Sequence, residues 1–251
     1  MSHVVPAELR AAQEIIGEAK ITQASNGVCY TSVGETAVST TDMERMVQAV
    51  PRGIAAALGQ RAFYFVPLTV SEGEQTMVAE RYQSSLADRA ICHRNIEMGG
   101  AQCVFISTRL TEDRFALGFE FFINVAHAFV DHAGVSGEFA DLVWAQATSG
   151  VRGETGVDAF ELRHKALGDG KSDRVDEKAR SSYVAAAFAD AIAVYMLSLA
   201  VDVDYYELRE RDYPLLAPAA LADRLKKVAD LFPPNEGFEF NIFYRRRESG
   251  R

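Results

Sequence analysis

The chain has 251 residues, of which 48% are hydrophobic and 24% are charged, and this composition is ordinary for a globular protein with a full core. The net charge is −9 at pH 7 and the pI is about 5.1. This balance argues against a nucleic-acid partner, because phosphate neutralisation needs clustered Lys and Arg. No linker rich in Pro or Ser divides the chain, so we interpret it as a single domain. An α/β portion covers 1–150 and a mostly helical portion covers 151–251.

The first 110 residues alternate between helix and strand signals. Capping-box spacings at 41–44 and 71–74 each predict the start of a helix. Pro51 is expected to bend or split the first of these helices, and Pro67 indicates that the apolar strand around it is an edge strand or contains a bulge. The expected elements are, in order, a helix over 7–20, a strand over 28–33, a helix from 41 towards 59, a strand over 61–70, a helix over 74–95 and a strand over 101–110.

The longest patterned stretch is 114–146, and in its first part, 114–130, large apolar residues occupy every second position. Strand side chains alternate between two faces, so this pattern predicts a long strand. Phe119 and Phe121 would lie on its core face, and His127 would end that face pointing inward. The alternative is a helix over 119–132, which would place His127 and Asp131 one turn apart on one face.

Beyond Gly134 the apolar spacing becomes helical, except near the end of the chain. The expected elements are helices over 135–149, 157–167, 176–201 and 219–231, followed by a closing strand over 238–244. Together the elements predict an α+β fold. Its mixed or largely antiparallel sheet would have covering helices and a mostly helical C-terminal part.

Cysteine usage and apolar runs indicate the cellular setting. Cys29, Cys92 and Cys103 show no metal-ligand spacing, and so few cysteines suit reduced thiols in the cytosol. The N-terminal 20 residues lack an apolar signal-peptide core. The run 184–201 is long enough to span a membrane, but Asp190 in its middle favours a buried core helix. We therefore expect a cytoplasmic protein without a membrane partner, and a homo-oligomer stays open.

His127, Asp131 and His132 form the main candidate site, at an expected strand-to-helix junction. Two imidazoles and a carboxylate are ligands for zinc or iron, and His93 is the candidate that would complete the set. The competing interpretation makes His127 a hydrogen-bonded core residue and Asp131 a helix cap.

Two motifs overlap this segment. The spacing of His127 and Asp131 resembles the HxxxDG motif of CoA-dependent acyltransferases, although His132 replaces the expected glycine. That resemblance implies acyl transfer with His127 as the general base. The segment 127–134 also resembles the HExxHxxG helix of zinc proteases, with Gly134 in register. Ala128 stands where that family has its glutamate base, so peptidase chemistry of that type is not expected.

Asp190 is the second candidate, because a charged group in an apolar helix is costly unless it has a partner. We expect it to face the same cavity as His127. We therefore interpret the chain as an enzyme that acts on a small molecule, assisted by a metal ion, with His127, Asp131 and Asp190 as catalytic residues. The alternatives are an acyl-transfer enzyme without a metal and a non-catalytic ligand-binding or interaction protein.

Overall fold

The computed structural model describes residues 9–73, 75–110, 114–168, 175–201, 203 and 213–243. Two sheets and a set of covering helices in these ranges confirm the predicted α+β fold. The strands are β1 (Leu9–Ala11), β2 (Thr22–Gln23), β3 (Cys29–Ser32), β4 (Arg61–Val66), β5 (Leu68–Glu72), β6 (Gln75–Ala79), β7 (Ala90–Ile91), β8 (His93–Met98) and β9 (Ala101–Ser107). The helices are α1 (Ala12–Glu18), α2 (Thr40–Gln48), α3 (Arg52–Ala55), α4 (Ser84–Ala87), α5 (Arg114–Ala133), α6 (Gly137–Thr148), α7 (Val157–Leu167), α8 (Glu177–Ala200) and α9 (Pro218–Leu231).

The larger sheet has the strand order β2-β3-β4-β9-β8. Its three middle strands run parallel, and β2 and β8 are antiparallel edge strands. The central strand β4 is apolar on both faces, as predicted. Phe63 and Phe65 pack into the main core with α5, while Tyr64 and Val66 pack into a second cluster with α1. A strand covered on both sides needs this composition.

Pro67 separates the two sheets. Proline has no backbone N–H to donate to a ladder, so the expected single strand over 61–70 becomes β4 and β5. The strand β5 belongs to a smaller antiparallel sheet with the order β1-β6-β5-β7. The sequence predicted an edge strand or a bulge at Pro67, whereas the structure has a break there between two strands that each lie inside a sheet.

The helix predicted over 74–95 is wrong. That segment forms β6, the short helix α4, β7 and the start of β8. Residues 71 and 72 of that capping-box spacing instead end β5, and Gly73, with φ of 60°, follows in a turn. A glycine adopts this conformation without steric cost. The turn lets β6 fold back onto β5, so strand pairing replaces the helix.

The long strand predicted over 114–130 is also wrong, and the helical alternative is correct. Both parities of the segment are apolar, and α5 buries Leu117, Phe121, Phe122 and Val125 together against the sheet and α8. Gly118 lies against α8: a Cβ at this position would be 3.0 Å from Leu197 Cδ1. The glycine therefore lets the two helices approach closely.

The helices predicted in the C-terminal part are confirmed as α6, α7, α8 and α9. Among the described residues, α8 is the helix that is long and apolar enough to cross a membrane by length and composition. In its most apolar window, 67% of the residues are buried inside the fold. This burial agrees with the prediction of a core helix.

The closing strand predicted over 238–244 is wrong over its described part, 238–243, where no strand forms. Phe238, Phe240 and Ile242 pack on the main core instead. The preceding Asn235 reaches back to the joint between α2 and α3, which Pro51 separates as predicted. Its side-chain amide donates to the carbonyls of Gln48 and Val50, both at 2.8 Å, and its oxygen accepts from the Arg52 N–H at 3.1 Å.

Candidate active site

A row of polar side chains runs along one face of α5. Glu120, Asn124, His127 and Asp131 follow a spacing of four, three and four residues, which places them on the same side of a helix. We call these four residues the polar row. Glu120 and Asn124 are largely buried, whereas His127 and Asp131 are exposed. The row therefore leads from the protein interior to the surface.

The edge strand β8 presents a second polar face to the same side of the sheet. His93, Asn95 and Glu97 pair with Ile106, Val104 and Gln102 of β9. Directly paired residues in a sheet share a face, and Val104 and Ile106 lie in the main core with α5. His93, Asn95 and Glu97 are therefore on the α5 side, while Ile96 packs with the α1 cluster.

His93 and Glu120 join these two polar faces. His93 Nδ1 lies 2.5 Å from Glu120 Oε1, and the two side chains are 43% and 20% exposed. An ionised carboxylate only accepts hydrogen bonds, so the ring proton lies on Nδ1. This tautomer leaves the Nε2 lone pair of His93 available to accept a proton.

Asn124 contacts Glu120 within the polar row. Its side-chain amide donates to the Glu120 carbonyl at 2.8 Å and makes a longer contact of 3.4 Å with Glu120 Oε1. Asn124 is only 9% exposed. Of these two contacts, only the longer one involves the Glu120 carboxylate, which also lies against His93.

Cys92 precedes His93 but has the properties of a neutral thiol. Desolvation raises the pKa of the Cys92 thiol, and the negative charge of Glu120 raises it further. The thiolate is the nucleophilic form of cysteine, so this environment does not activate the group. His93, rather than Cys92, is therefore the reactive group that the structure offers here.

The structure places His93 against Glu120 of the polar row, the row that also contains His127 and Asp131, and it puts His132 and Asp190 elsewhere. His127, Asp131 and His93 lie on the α5 side of the sheet edge, although His127 points to solvent and not inward as predicted. Asp131 interacts electrostatically with Arg61 at the start of β4. His132 is exposed on a different face near the end of α5. Residues 127–131 lie within one helix, and not at the strand end on which the acyltransferase resemblance depends.

Asp190 lies in a different part of the fold, so the prediction that it shares a cavity with His127 is wrong. Its Oδ2 accepts a hydrogen bond from Thr155 Oγ1 at 2.9 Å. A Cβ on Gly156 would be 2.6 Å from the same oxygen, so the glycine backbone covers the carboxylate. Desolvation raises the pKa of Asp190 to about 6, and the nearby charge of Glu154 adds to this effect.

Beside Asp190 lies a buried ionic network that the sequence patterns did not indicate. Glu154, fully buried, accepts hydrogen bonds from Arg163 at 3.2 Å, Tyr183 at 2.6 Å and Arg224 at 2.8 Å. Gln146 accepts from Arg224 at 2.8 Å. Burial raises the pKa of the Tyr183 hydroxyl, so this group stays protonated and donates. The charged groups named here are paired with one another inside the fold, so we interpret the network as structural.

The structure does not support the predicted metal site with a set of three ligands. Among the residues that the structure describes, no group of three or more His, Cys, Asp or Glu could hold a metal ion. His127, His132, Asp131 and His93 therefore do not form such a group, and zinc or iron stays an untested prediction. The chain matches none of the family models and none of the curated proteins with which it was compared.

Glu120 and Asn124 were missed because of the wrong periodicity. In a strand, both would lie on the face opposite His127. The helical period places all four residues of the polar row on one face. The helical alternative for this segment therefore predicts the row from the sequence. The contribution of β8 could not be predicted, because the sequence pattern placed His93 near the end of a helix that does not form.

Proposed function

We propose that this chain is an enzyme that acts on a small molecule by general acid–base catalysis, with His93 as the base. The observation that carries the proposal is the contact between His93 Nδ1 and Glu120 Oε1. A carboxylate on Nδ1 orients the imidazole and stabilises the imidazolium that forms when Nε2 takes a proton. Because the His93 side chain is 43% exposed, a substrate can approach it.

Three other polar groups, all on α5, have supporting roles. Asn124 contacts Glu120, and His127 and Asp131 lie one and two turns beyond Asn124, where they would bind the polar part of a substrate. The proposed chemistry is the removal of a proton from a substrate or from an attacking water molecule. No step passes through a metal ion.

The direct test is turnover of chromogenic esters, phosphoesters and glycosides by the purified protein. In His93→Asn, the amide can replace Nδ1 as the donor to Glu120, but no group replaces Nε2. We therefore expect the best rate in this panel to fall by about 10²- to 10⁴-fold, the usual contribution of a general base. Glu120→Gln keeps the size of the side chain and removes its charge, so it should lower the rate by a smaller factor.

His164→Asn is the matched control. His164 is also exposed, and its Nδ1 also has a hydrogen-bond partner, the backbone carbonyl of Phe160 at 2.7 Å. This variant should keep the full rate. The proposal would be contradicted if the native protein turned over every substrate of the panel no faster than His93→Asn does.

A second measurement tests the arrangement without any substrate. Nitrogen-15 spectra of the imidazole rings report which ring nitrogen carries the proton. We expect His93 to be the Nδ1-protonated tautomer when neutral, and to lose this preference in Glu120→Ala. A neutral His93 protonated on Nε2 in the native protein would exclude Nε2 as the base.

A further inference from the structure

A cavity of about 770 Å³ lies where α2, the start of α5 and the end of α8 meet. Cavities that bind drug-sized ligands have volumes of roughly 300–1,000 Å³. Its lining includes none of the polar row and none of the polar residues of β8. It is therefore separate from the proposed acid–base site, and an inference about it does not depend on that proposal.

The floor of the cavity is apolar. Met46 from α2, Leu117 from α5 and Leu199 from α8 all line it and are 7%, 2% and 5% exposed. Gly118 lies beside them and has no side chain to fill the space. A hydrophobic ligand can remove these side chains from the remaining contact with water, which favours binding.

Among the residues that the structure describes, the charged groups of the lining are Asp42, Arg45, Arg114 and Glu239. Asp42 and Arg114 pair with each other at 2.8 Å, and Ser39 Oγ contacts the same carboxylate at 2.7 Å. Arg45 differs, because in the described part of the chain no carboxylate lies within ion-pair distance of it. Its guanidinium instead lies over the Phe238 ring, 5.9 Å from the centroid.

A guanidinium that lies against an aromatic ring is held in place while its N–H groups remain available. Such a planar group binds a carboxylate through two parallel hydrogen bonds. Glu239, next in sequence to Phe238, also lines the cavity and opposes a negative ligand there. The attraction is therefore expected to come from Arg45, with the Arg114 pair as a secondary source.

We propose that this cavity binds a small amphipathic carboxylate. The carboxylate of the ligand pairs with Arg45, and its apolar body lies on Met46, Leu117 and Leu199. Both halves of this ligand match a described half of the cavity. A neutral or cationic molecule with the same apolar body lacks the pairing with Arg45.

The test is isothermal titration with three probes that share one skeleton: 4-phenylbutyrate, 4-phenylbutanol and 4-phenylbutylamine. We expect 4-phenylbutyrate to bind most tightly and 4-phenylbutylamine most weakly. Absence of 4-phenylbutyrate binding at millimolar concentration, or equal affinity for 4-phenylbutanol, would overturn the proposal.

Three variants locate the binding. Arg45→Gln should lower the affinity for 4-phenylbutyrate by about tenfold or more, since hydrogen bonds between charged groups are stronger than those between neutral groups. Glu239→Gln should strengthen it, because a repulsive charge is removed. Arg180→Gln is the control, because Arg180 also lies over an aromatic ring, Trp144, at 4.6 Å, and does not line the cavity. All three side chains are on the surface, so matching thermal transitions can establish that the variants are folded. Equal affinity in Arg45→Gln and the native protein would place the ligand elsewhere.

Discussion

Asp190 shows at the scale of one residue how burial changes an acid. Its carboxylate accepts a hydrogen bond from Thr155, and desolvation is the largest influence on it, raising its pKa to about 6. An aspartate in the unfolded chain has a pKa near 3.9. The folded protein therefore binds this proton more tightly than the unfolded chain does. The stability that results is fully present below about pH 4 and is lost as the pH rises through about 6.

Asp190→Asn should therefore stabilise the protein at pH 7.5 and have little effect at pH 4. The amide keeps the shape and can still accept from Thr155, while the cost of the buried charge disappears. That cost is at most roughly 3 kcal/mol, because one pKa unit corresponds to about 1.4 kcal/mol. Urea denaturation at both pH values measures the difference. Asp141→Asn, which changes an exposed aspartate on α6, is the control and should change little at either pH. A less stable Asp190→Asn at pH 7.5 would show that the carboxylate is needed in its charged form.

The sequence predicted part of this behaviour. An isolated carboxylate in an apolar helix is expected to find a partner or to have its pKa raised, and Asp190 shows both: it accepts a hydrogen bond from Thr155, and burial raises its pKa to about 6. Its location relative to His127 could not be predicted. That location depends on the start of α7 packing on α8, where Gly156 closes over the carboxylate. No local pattern encodes a contact over 34 residues.

At the scale of elements, α5 distinguishes the strand period from the helical period, both of which the sequence of this segment allows. Phe121 contacts Phe63 and Phe65, with ring centroids 4.9 and 5.5 Å apart, and is fully buried. Phe119 is only partly buried. A strand would place both rings on one buried face, whereas a helix turns them about 200° apart. Alternation alone could not decide, because the intervening positions are also mostly apolar.

Phe121→Ala should lower the free energy of unfolding by about 3–5 kcal/mol, the usual cost of removing a buried aromatic ring. Phe119→Ala is the matched comparison and should cost clearly less, because part of its ring is already in contact with water. Chemical denaturation of both variants gives the two values. Equal costs would support the strand assignment over the helical one.

At the scale of the whole molecule, Glu154 joins four helices. Its direct and indirect partners come from α6 (Gln146), α7 (Arg163), α8 (Tyr183) and α9 (Arg224). A buried charge that loses its partner is costly, even where the intact pair contributes little net stability. The helical half is thus held in one arrangement by polar contacts as well as by apolar packing. The helices themselves were predicted from periodicity, but their common polar centre involves residues up to 78 positions apart.

Arg224→Met should destabilise the protein by about 3–5 kcal/mol, because Glu154 would remain buried with fewer donors. Adding Glu154→Gln to this variant should recover part of the loss, since the unpaired charge is then removed. Lys227→Met on the same helix is the control: Lys227 pairs with exposed Glu138 at 3.0 Å, and such surface pairs contribute at most about 1 kcal/mol. If Arg224→Met and Lys227→Met cost the same, the network does not hold the helices together.

Asn235 has a consequence for the order in which the protein is completed during synthesis. The polar backbone groups that it binds, at Gln48, Val50 and Arg52, leave the ribosome more than 180 residues earlier. Until Asn235 follows, these groups must be satisfied by water. The joint between α2 and α3 therefore closes only after residue 235 has been synthesised. A nascent chain, or a product cut before residue 235, presents this joint open to proteases.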